Sequence, residues 1–409
     1  MNIPFSPPYI DDDVINEVVD SLRSGWITTG PKVKALEEEI KKFSKAKQVL
    51  CVNSWTSGAI MMLRWFGVKE GDEVIIPAYT YSATALAVLH AGAKPVMVDS
   101  GKDFNISVGA ISKAITPKTK AIIPVDIAGF PCDYDAIMNL VKEPKTNTLF
   151  TAESENQQKL GRILVLNDAA HSLGAWYKAN MRTGSETDVA VFSLHAVKNV
   201  TTAEGGAICL NLPEPFDNEK LYTILRQMSL NCQTKDAFSK SKAGGWRYDI
   251  VGFGMKINMA DINAAIGLAQ IKKYNTLLKE RKRVFELYNK AFSNQKWAIL
   301  PPAKIGERET SYHIYALRIK DFDEDQRDRM IDEIAKKGVA VNVHFIPMPM
   351  LSFFKNQGYK IGDYPQAYIN FKSEISLPIY PQLTNEQIKY IIKVVFEAYE
   401  KIKNNDPCY

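Results

Sequence analysis

The 409-residue sequence predicts an α/β fold, in which a mostly parallel, mixed sheet lies between helices and a smaller C-terminal α+β domain follows. Three observations predict it. Short Val/Ile-rich runs alternate with helical patterns through the first half, the spacing of parallel strands and their crossovers. One unbroken helical pattern then runs from 259 to about 292. Beyond Pro301 the order changes to strand, helix, short strand and final helix. The length exceeds that of most single domains. The division falls near 270–300: residues 1–270 form the large domain with its N-terminal helices, and 271–409 the linking helix and small domain.

The elements follow in order. Segments 12–23 and 31–44 read as helices on either side of the turn-rich SGWITTGP. QVLCV reads as a strand and is followed by a helix over about 56–66. DEVIIP is followed by a helix over about 82–91. The runs KPVMV, KAIIPVDI, RILVLND, DVAVFSL and GGAICL complete the sheet. Between them, KTNTLFTAESENQQKLG at 145–161 reads as a polar insertion or mobile loop. In the long helical run, Ala, Ile and Leu recur every three and four residues. Its ERKRVF portion (280–285) reads as a solvated basic face. The last unit is read as strand YHIYALRIK, helix EDQRDRMIDEIAKKG, short strand VAVNVHF and helix NEQIKYIIKVVFEAYEKI.

Composition narrows the function. The net charge of +5 is spread along the chain, with no basic cluster interleaved with aromatics, which excludes nucleic acid and leaves a small anionic ligand open. Cys51, Cys132, Cys209, Cys232 and Cys408 are scattered without a CxxC pair, so neither a metal site nor a disulfide framework is expected. MNIPFSPPYIDDD has no basic or apolar leader region, and no apolar run approaches the roughly 18 residues of a membrane span. A cytoplasmic enzyme without a membrane partner is the expectation.

Four stretches sit where strands hand over to loops or helices, the places where open α/β sheets bind ligands. In CVNSWTSGA (51–59) a helix begins after a strand, and its free N–H groups with the hydroxyls of Thr56 and Ser57 suit a phosphate; an ordinary N-cap accounts for the same residues. In PAYTYSATA, Tyr81 falls where an aromatic ring could stack on a planar ligand, or could simply join the core. In LNDAAHSLGA, Asp168 ends an apolar strand and is costly to bury unless paired. It could hold a proton on a ring nitrogen, with His171 nearby; the other account is a helix-capping Asp and a satisfied core His. In FSLHAVKNVTTAEGG, Ser193 and His195 precede Lys198, which lies in a loop between two strands. A lysine at a dry sheet edge tends to lose its proton, and a neutral amine condenses with an aldehyde. A phosphate cup, a ring stacker, a ring-nitrogen acid and an aldehyde-binding lysine are together the requirements of pyridoxal 5'-phosphate.

These stretches, with SGWITTGPKV and YDIVGFGMKINMADINAAIGLAQ, resemble the DegT/DnrJ family of pyridoxal-phosphate-dependent nucleotide-sugar aminotransferases, of the aspartate-aminotransferase-like fold type I, over nearly the whole chain. The resemblance implies that Lys198 is the covalent anchor of the cofactor and catalytic together with Asp168, which pairs with the ring nitrogen. It places His171 near the ring hydroxyl, Tyr81 in the stacking position, and Thr56, Ser57 and Ser193 at the phosphate. Asn258 would reach the phosphate of a neighbouring subunit, implying a homodimer with shared active sites; a helix N-cap is its local alternative. Trp26, Thr28, His195, Lys256, His313 and His344 are candidates for substrate contact. The implied reaction moves an amino group from L-glutamate to a keto group, at C4, of a nucleotide-linked deoxy sugar, for surface-glycan or antibiotic-sugar biosynthesis. A 3-keto sugar or a cyclitol ketone is an alternative acceptor, and a non-catalytic regulator on the same fold an alternative of another class. Lys198 separates the chain from the branch that carries histidine there and removes a hydroxyl. The chain departs from some relatives at Ala260, where they carry an arginine for the substrate diphosphate, and in HFIPMPML, which lacks a histidine that relatives often have.

Overall fold

Parallel strands buried on both faces need apolar residues at every position, and the Val/Ile runs supply them. In the computed structural model, which describes residues 1–234 and 246–405, they become β1 (Gln48–Val52), β2 (Glu73–Pro77), β3 (Lys94–Val98), β4 (Thr119–Ile122), β5 (Leu164–Asp168), β8 (Val189–Ser193) and β9 (Gly206–Leu210); a small hairpin, β6 (Trp176–Lys178) and β7 (Met181–Arg182), lies between. The seven form one sheet in the order β1-β9-β8-β5-β4-β2-β3. β3, β2, β4, β5 and β8 run parallel, whereas β9 is antiparallel to both its neighbours, so the sheet is mixed. β5 and β9 are buried at all five positions.

Helices α1 (Asp12–Arg23), α2 (Pro31–Ser44), α3 (Trp55–Trp65) and α4 (Ala83–His90) begin and end within a residue or two of the sequence expectation. Asp11 caps α1 by accepting the Val14 N–H, and Ser54 caps α3 by accepting that of Ser57. α2 has no local cap. Asp261, the first residue of the 32-residue helix Asp261–Phe292, serves instead, its carboxylate accepting the N–H groups of Gly30, Lys32 and Val33 at 2.8–3.1 Å. Along the edge strand β1, the buried Glu37 accepts the Cys51 N–H and the Tyr222 hydroxyl; burial pushes its carboxyl up to about 7.

The C-terminal part builds β10 (Ala298–Ile299), β11 (Lys304–Ile305), β12 (Arg308–Glu309), β13 (Tyr315–Ile319) and β14 (Glu374–Leu377), with helices Glu324–Lys336 and Asn385–Asn405. β13 lies between β10 and β14, antiparallel to both, and β12 reaches back to pair with β6. The long helix packs on α1, α2 and the C-terminal helix.

Three expectations are corrected. Segment 145–161 is not an open loop: it contains helices Pro144–Leu149 and Glu155–Leu160, the second capped by Ser154. Gln157, fully buried, ties this segment to the carbonyl of Gly67 beyond α3. VAVNVHF forms no strand; only single bridges join Val339 to Ile3 and Asn342 to Ser376. ERKRVF is not a solvated face, because Arg281 is buried and gives its guanidinium to the carbonyl of Ile379 at 3.0 Å. Among the cysteines, Cys51, Cys132, Cys209 and Cys232 are buried free thiols; Cys408 lies outside the described residues.

A buried ion pair braces the sheet core. Asp188 meets the Arg162 guanidinium in a fork at 2.6 and 2.7 Å and also accepts the Val165 N–H. Asp188→Ala strands the guanidinium in the interior, and the expected loss is about 3–5 kcal/mol, read from the midpoint of urea unfolding. Replacing both partners by apolar residues of similar volume is expected to cost less than that single change.

Candidate active site

The carboxyl ends of β2, β5 and β8 and the N-terminus of α3 surround a cavity of about 520 Å³. Nine of the residues expected at the site line it: Thr56, Tyr81, Asp168, His171, Ser193, His195, Lys198, His313 and His344. The cap on α3 ties Ser54 Oγ to Ser57, and the first N–H groups of a helix have no intrahelical acceptor, so Trp55 and Thr56 present theirs to the cavity. Gly206 allows this approach. A Cβ there would lie 2.6–2.7 Å from the backbone of Ser54 and Trp55.

Asp168 ends β5 with its carboxylate buried. It accepts the Thr84 hydroxyl at 2.9 Å and the Ala170 N–H at 3.2 Å, and no helix follows for it to cap. Desolvation pushes its carboxyl up to about 7, against the pull of those hydrogen bonds and of Lys198. Lys198 lies in the loop 194–205 between β8 and β9. The loop is closed by Leu194 N–H to Gly205 O and Thr202 N–H to Leu194 O. The long helix fastens it: Gln270 accepts the Thr201 N–H, Asn263 donates to Thr202 O, and the Tyr274 hydroxyl accepts from Asn199. Desolvation lowers the Lys198 amine to about 8, while the Asp168 charge opposes the drop.

Four of the chain's five histidines line this cavity. His313 Nδ1 lies 2.8 Å from Asn199 Oδ1, and Asn199 Nδ2 donates to Ser311 O, so the amide orientation is fixed and His313 must donate through Nδ1. His171 sits 4.6 Å from His313, ring centre to ring centre, and its buried Nδ1 has no partner among the described residues. Burial and the nearby Lys198 hold both well below the usual imidazole range. Tyr81 stands at the mouth, largely exposed, with Phe345 5.9 Å away. His195 faces Glu204 at 3.6 Å.

The other expected residues lie elsewhere. Ser57 is turned to Ser54. Asn258 donates to Thr29 Oγ1 at 2.6 Å and accepts from Lys256 at 2.7 Å; it is no N-cap, since the long helix starts after Ala260. Trp26 donates to Thr29 O, and Thr28 O accepts the Asp261 N–H. Sequence reasoning missed Ser54, Thr84, Asn199, Gly206 and Gln270. Of these, only the Gly-Gly at the end of FSLHAVKNVTTAEGG gave a local signal.

The pieces suit pyridoxal phosphate: an anion cup at a helix N-terminus, a buried carboxylate able to face a ring cation, an unpartnered imidazole nitrogen and an amine of lowered basicity. Such a site on this mixed sheet defines a pyridoxal-phosphate-dependent aminotransferase of fold type I. The chain belongs to the DegT/DnrJ/EryC1/StrS aminotransferase family, whose profile matches residues 8–396. It is similar to a candidate sugar aminotransferase of Streptococcus pneumoniae, Spr1654, solved in its pyridoxamine-phosphate form: 43% identity, 98% of this chain and 100% of that one, TM-score 0.94. The same protein has been solved with pyridoxal phosphate. The chain is 34% identical to the spore coat polysaccharide biosynthesis protein SpsC of Bacillus subtilis, over 96% of each chain. Helicobacter pylori PseC, an aminotransferase of pseudoaminic acid biosynthesis, aligns at 25% identity over 98% of this chain and 100% of its own, TM-score 0.84. Among the described residues no helix is long and apolar enough to cross a membrane.

The lowered basicity of Lys198 gives a measurable sign. A depressed pKa leaves the amine neutral at lower pH, so in cofactor-free protein its labelling by an amine-reactive aryl fluoride should reach half its maximum near pH 8, against about 10.4 for ordinary lysines. Asp168→Asn removes the opposing charge and should move that midpoint lower. Peptide mapping at residue 198 reads both.

Proposed function

We propose that this cavity carries an amino group from L-glutamate to the C4 ketone of a UDP- or dTDP-linked 6-deoxy sugar, with Lys198 as the covalent anchor of pyridoxal phosphate. The observation that carries the reading is the pairing of a buried carboxylate and a desolvated amine on one cavity, Asp168 at about 7 and Lys198 at about 8. Near neutrality both stand close to the change of charge that proton transfer requires. Asp168 would hold a proton on the ring nitrogen, and His171 would offer its free Nδ1 to the ring hydroxyl. Tyr81 would cover the ring face, and Thr56 and Ser193 with the α3 N–H groups would hold the phosphate, while Ser57, turned to Ser54, stays behind the cup. Lys198, once freed by the donor, would take the proton from the donor's α-carbon and hold it for return during the transfer. When bound, the cofactor supplies the electron sink for that carbanion and keeps the nitrogen between the two half-reactions.

The acceptor class is supported by the likeness to SpsC, a protein of spore coat polysaccharide biosynthesis, and to PseC, an aminotransferase of pseudoaminic acid biosynthesis. With Ala260 in place of the arginine, His313 and His344 are the groups in the cavity that meet the sugar; Lys256 lies outside it. A homodimer is part of this reading. Asn258 and Lys256 stay outside their own protomer's cavity, and Trp246 and Phe253, in the segment that precedes Asn258, are 72% and 85% exposed. In that dimer Asn258 serves the partner's phosphate.

The test uses L-glutamate with a panel of nucleotide-linked 4-keto and 3-keto sugars, read by product mass. Amination of a 4-keto-6-deoxy sugar is expected, and a 3-keto sugar or cyclitol ketone as sole acceptor would replace the assignment. Lys198→Ala should abolish turnover and the long-wavelength absorbance of the bound cofactor. In rescue by an added small amine, the rate should stay about 10²–10⁴-fold below wild type, the usual worth of a positioned acid–base group.

A further inference from the structure

On one wall of the cavity, two buried side chains are hydrogen-bonded in series behind His344. His344 lines the cavity, and desolvation, with the nearby Lys198, depresses its basicity. Its Nδ1 lies 2.9 Å from Ser376 Oγ, which lies 2.5 Å from Glu374 Oε1. The other carboxylate oxygen accepts the backbone N–H of His344 at 2.9 Å. Asn342 and Ser376 exchange two backbone hydrogen bonds of 2.7 and 3.2 Å, which fix the His344 segment alongside β14. Glu374 and Ser376 are both fully buried.

The charged and titratable groups facing Glu374 come from three other elements. Arg318 is its cross-strand partner on β13, Arg327 projects from helix Glu324–Lys336, and Tyr79 follows β2 and donates its hydroxyl to His344 O at 2.6 Å. Arg318 spends an N–H on Asn370 Oδ1, and Arg327 donates to the carbonyls of Phe371 and Glu374. Neither closes an ion pair on the carboxylate.

A hydroxyl has one proton to give, so the chain has two self-consistent states. With Glu374 ionised, Ser376 donates to it and accepts from His344 Nδ1–H, leaving Nε2 as a bare acceptor. With Glu374 protonated, each bond reverses and His344 carries its proton on Nε2. The two states differ by one proton, and the imidazole is neutral in both.

We propose that Glu374, Ser376 and His344 form a proton relay, through which the imidazole exchanges a proton between the reacting groups in the cavity and a buried carboxylate. The proposal rests on the cavity being the site of amino transfer. In the uptake step an N–H of the amino donor's ammonium breaks and an Nε2–H forms. The Nδ1 proton passes to Ser376, and the Ser376 proton passes to Glu374 Oε1. The donor nitrogen keeps the electron pair it needs for attack, and the reverse step gives a proton to the ketone oxygen of the acceptor as it leaves as water. Physical chemistry favours storing the proton on the acid and not on the imidazole. Burial and Lys198 hold His344 at about 3, whereas burial pushes Glu374 up to about 8 in spite of both arginines.

Two measurements test it. In cofactor-free protein labelled with ¹⁵N-histidine, the His344 resonances, assigned by their loss in His344→Gln, should exchange from the Nε2–H to the Nδ1–H tautomer as pH rises, with a midpoint near 8. In Glu374→Gln that exchange should vanish. In the holoenzyme, the single-turnover rate with L-glutamate should fall at least about tenfold in Glu374→Gln and in Ser376→Ala, while Glu374→Asp recovers part of the pH profile. One unchanging His344 tautomer in the wild type, or a wild-type rate and pH profile in both variants, overturns the relay. Ser376→Ala keeps the test open if Glu374→Gln does not fold. A wild-type protein that shows the tautomer exchange but no reaction with any amino donor would instead overturn the functional reading.

Discussion

The chemistry of this protein depends on withdrawing two ionisable side chains from water beside one cavity. Bulk water would hold the amine of Lys198 charged and the carboxyl of Asp168 ionised throughout the neutral range. Desolvation moves them toward each other, the amine to about 8 and the acid to about 7. Their mutual attraction limits both shifts. Neither group reaches the neutral extreme that isolation in an apolar pocket would impose, and both keep access to two protonation states near pH 7.

Holding that arrangement is the task of the surrounding fold. Lys198 sits in a twelve-residue loop, and a loop of that length is ordered only if its polar backbone finds partners. The long helix supplies them through Asn263, Gln270 and Tyr274, and its own N-terminus reaches out through Asp261 to start α2. One helix therefore sets the cofactor loop and the N-terminal layer together. The same economy shows at Gly206, where the absence of a side chain lets β9 run against the first turn of α3 and brings the anion cup within reach of the lysine loop.

The histidines show a second use of low polarity. His171, His313 and His344 surround a lysine, and all three are pushed toward the neutral form. A neutral imidazole has one donor and one acceptor nitrogen, and its chemistry is set by what holds the far side. Asn199 fixes His313 as an Nδ1 donor. Ser376 and Glu374 leave His344 able to exchange tautomers. His171 is left with a nitrogen for a ligand.

Sequence pattern was enough to mark most of the elements and the motif residues that line the cavity. Periodicity marks α1, α2, the sheet strands and the long helix because burial on one stripe or on both faces is a local pattern. Asp168 and Lys198 stand out because each is a charge set at the end of an apolar run. It failed at VAVNVHF, whose alternation resembles a strand but which finds no ladder, and at 145–161, whose polar letters hide two short helices, the second tied to the C-terminal end of α3. Which residues meet was set by the packing of distant segments. Glu374 lies 30 positions from His344 and reads locally as one polar letter in a strand, yet the β13–β14 register and the bridge to Asn342 bring it behind the cavity. Arg281 looks solvated in the sequence and is buried by the segment that carries Ile379. Charge and periodicity are written in neighbouring letters, whereas desolvation and hydrogen-bond partnership arise only when distant segments close around the same space.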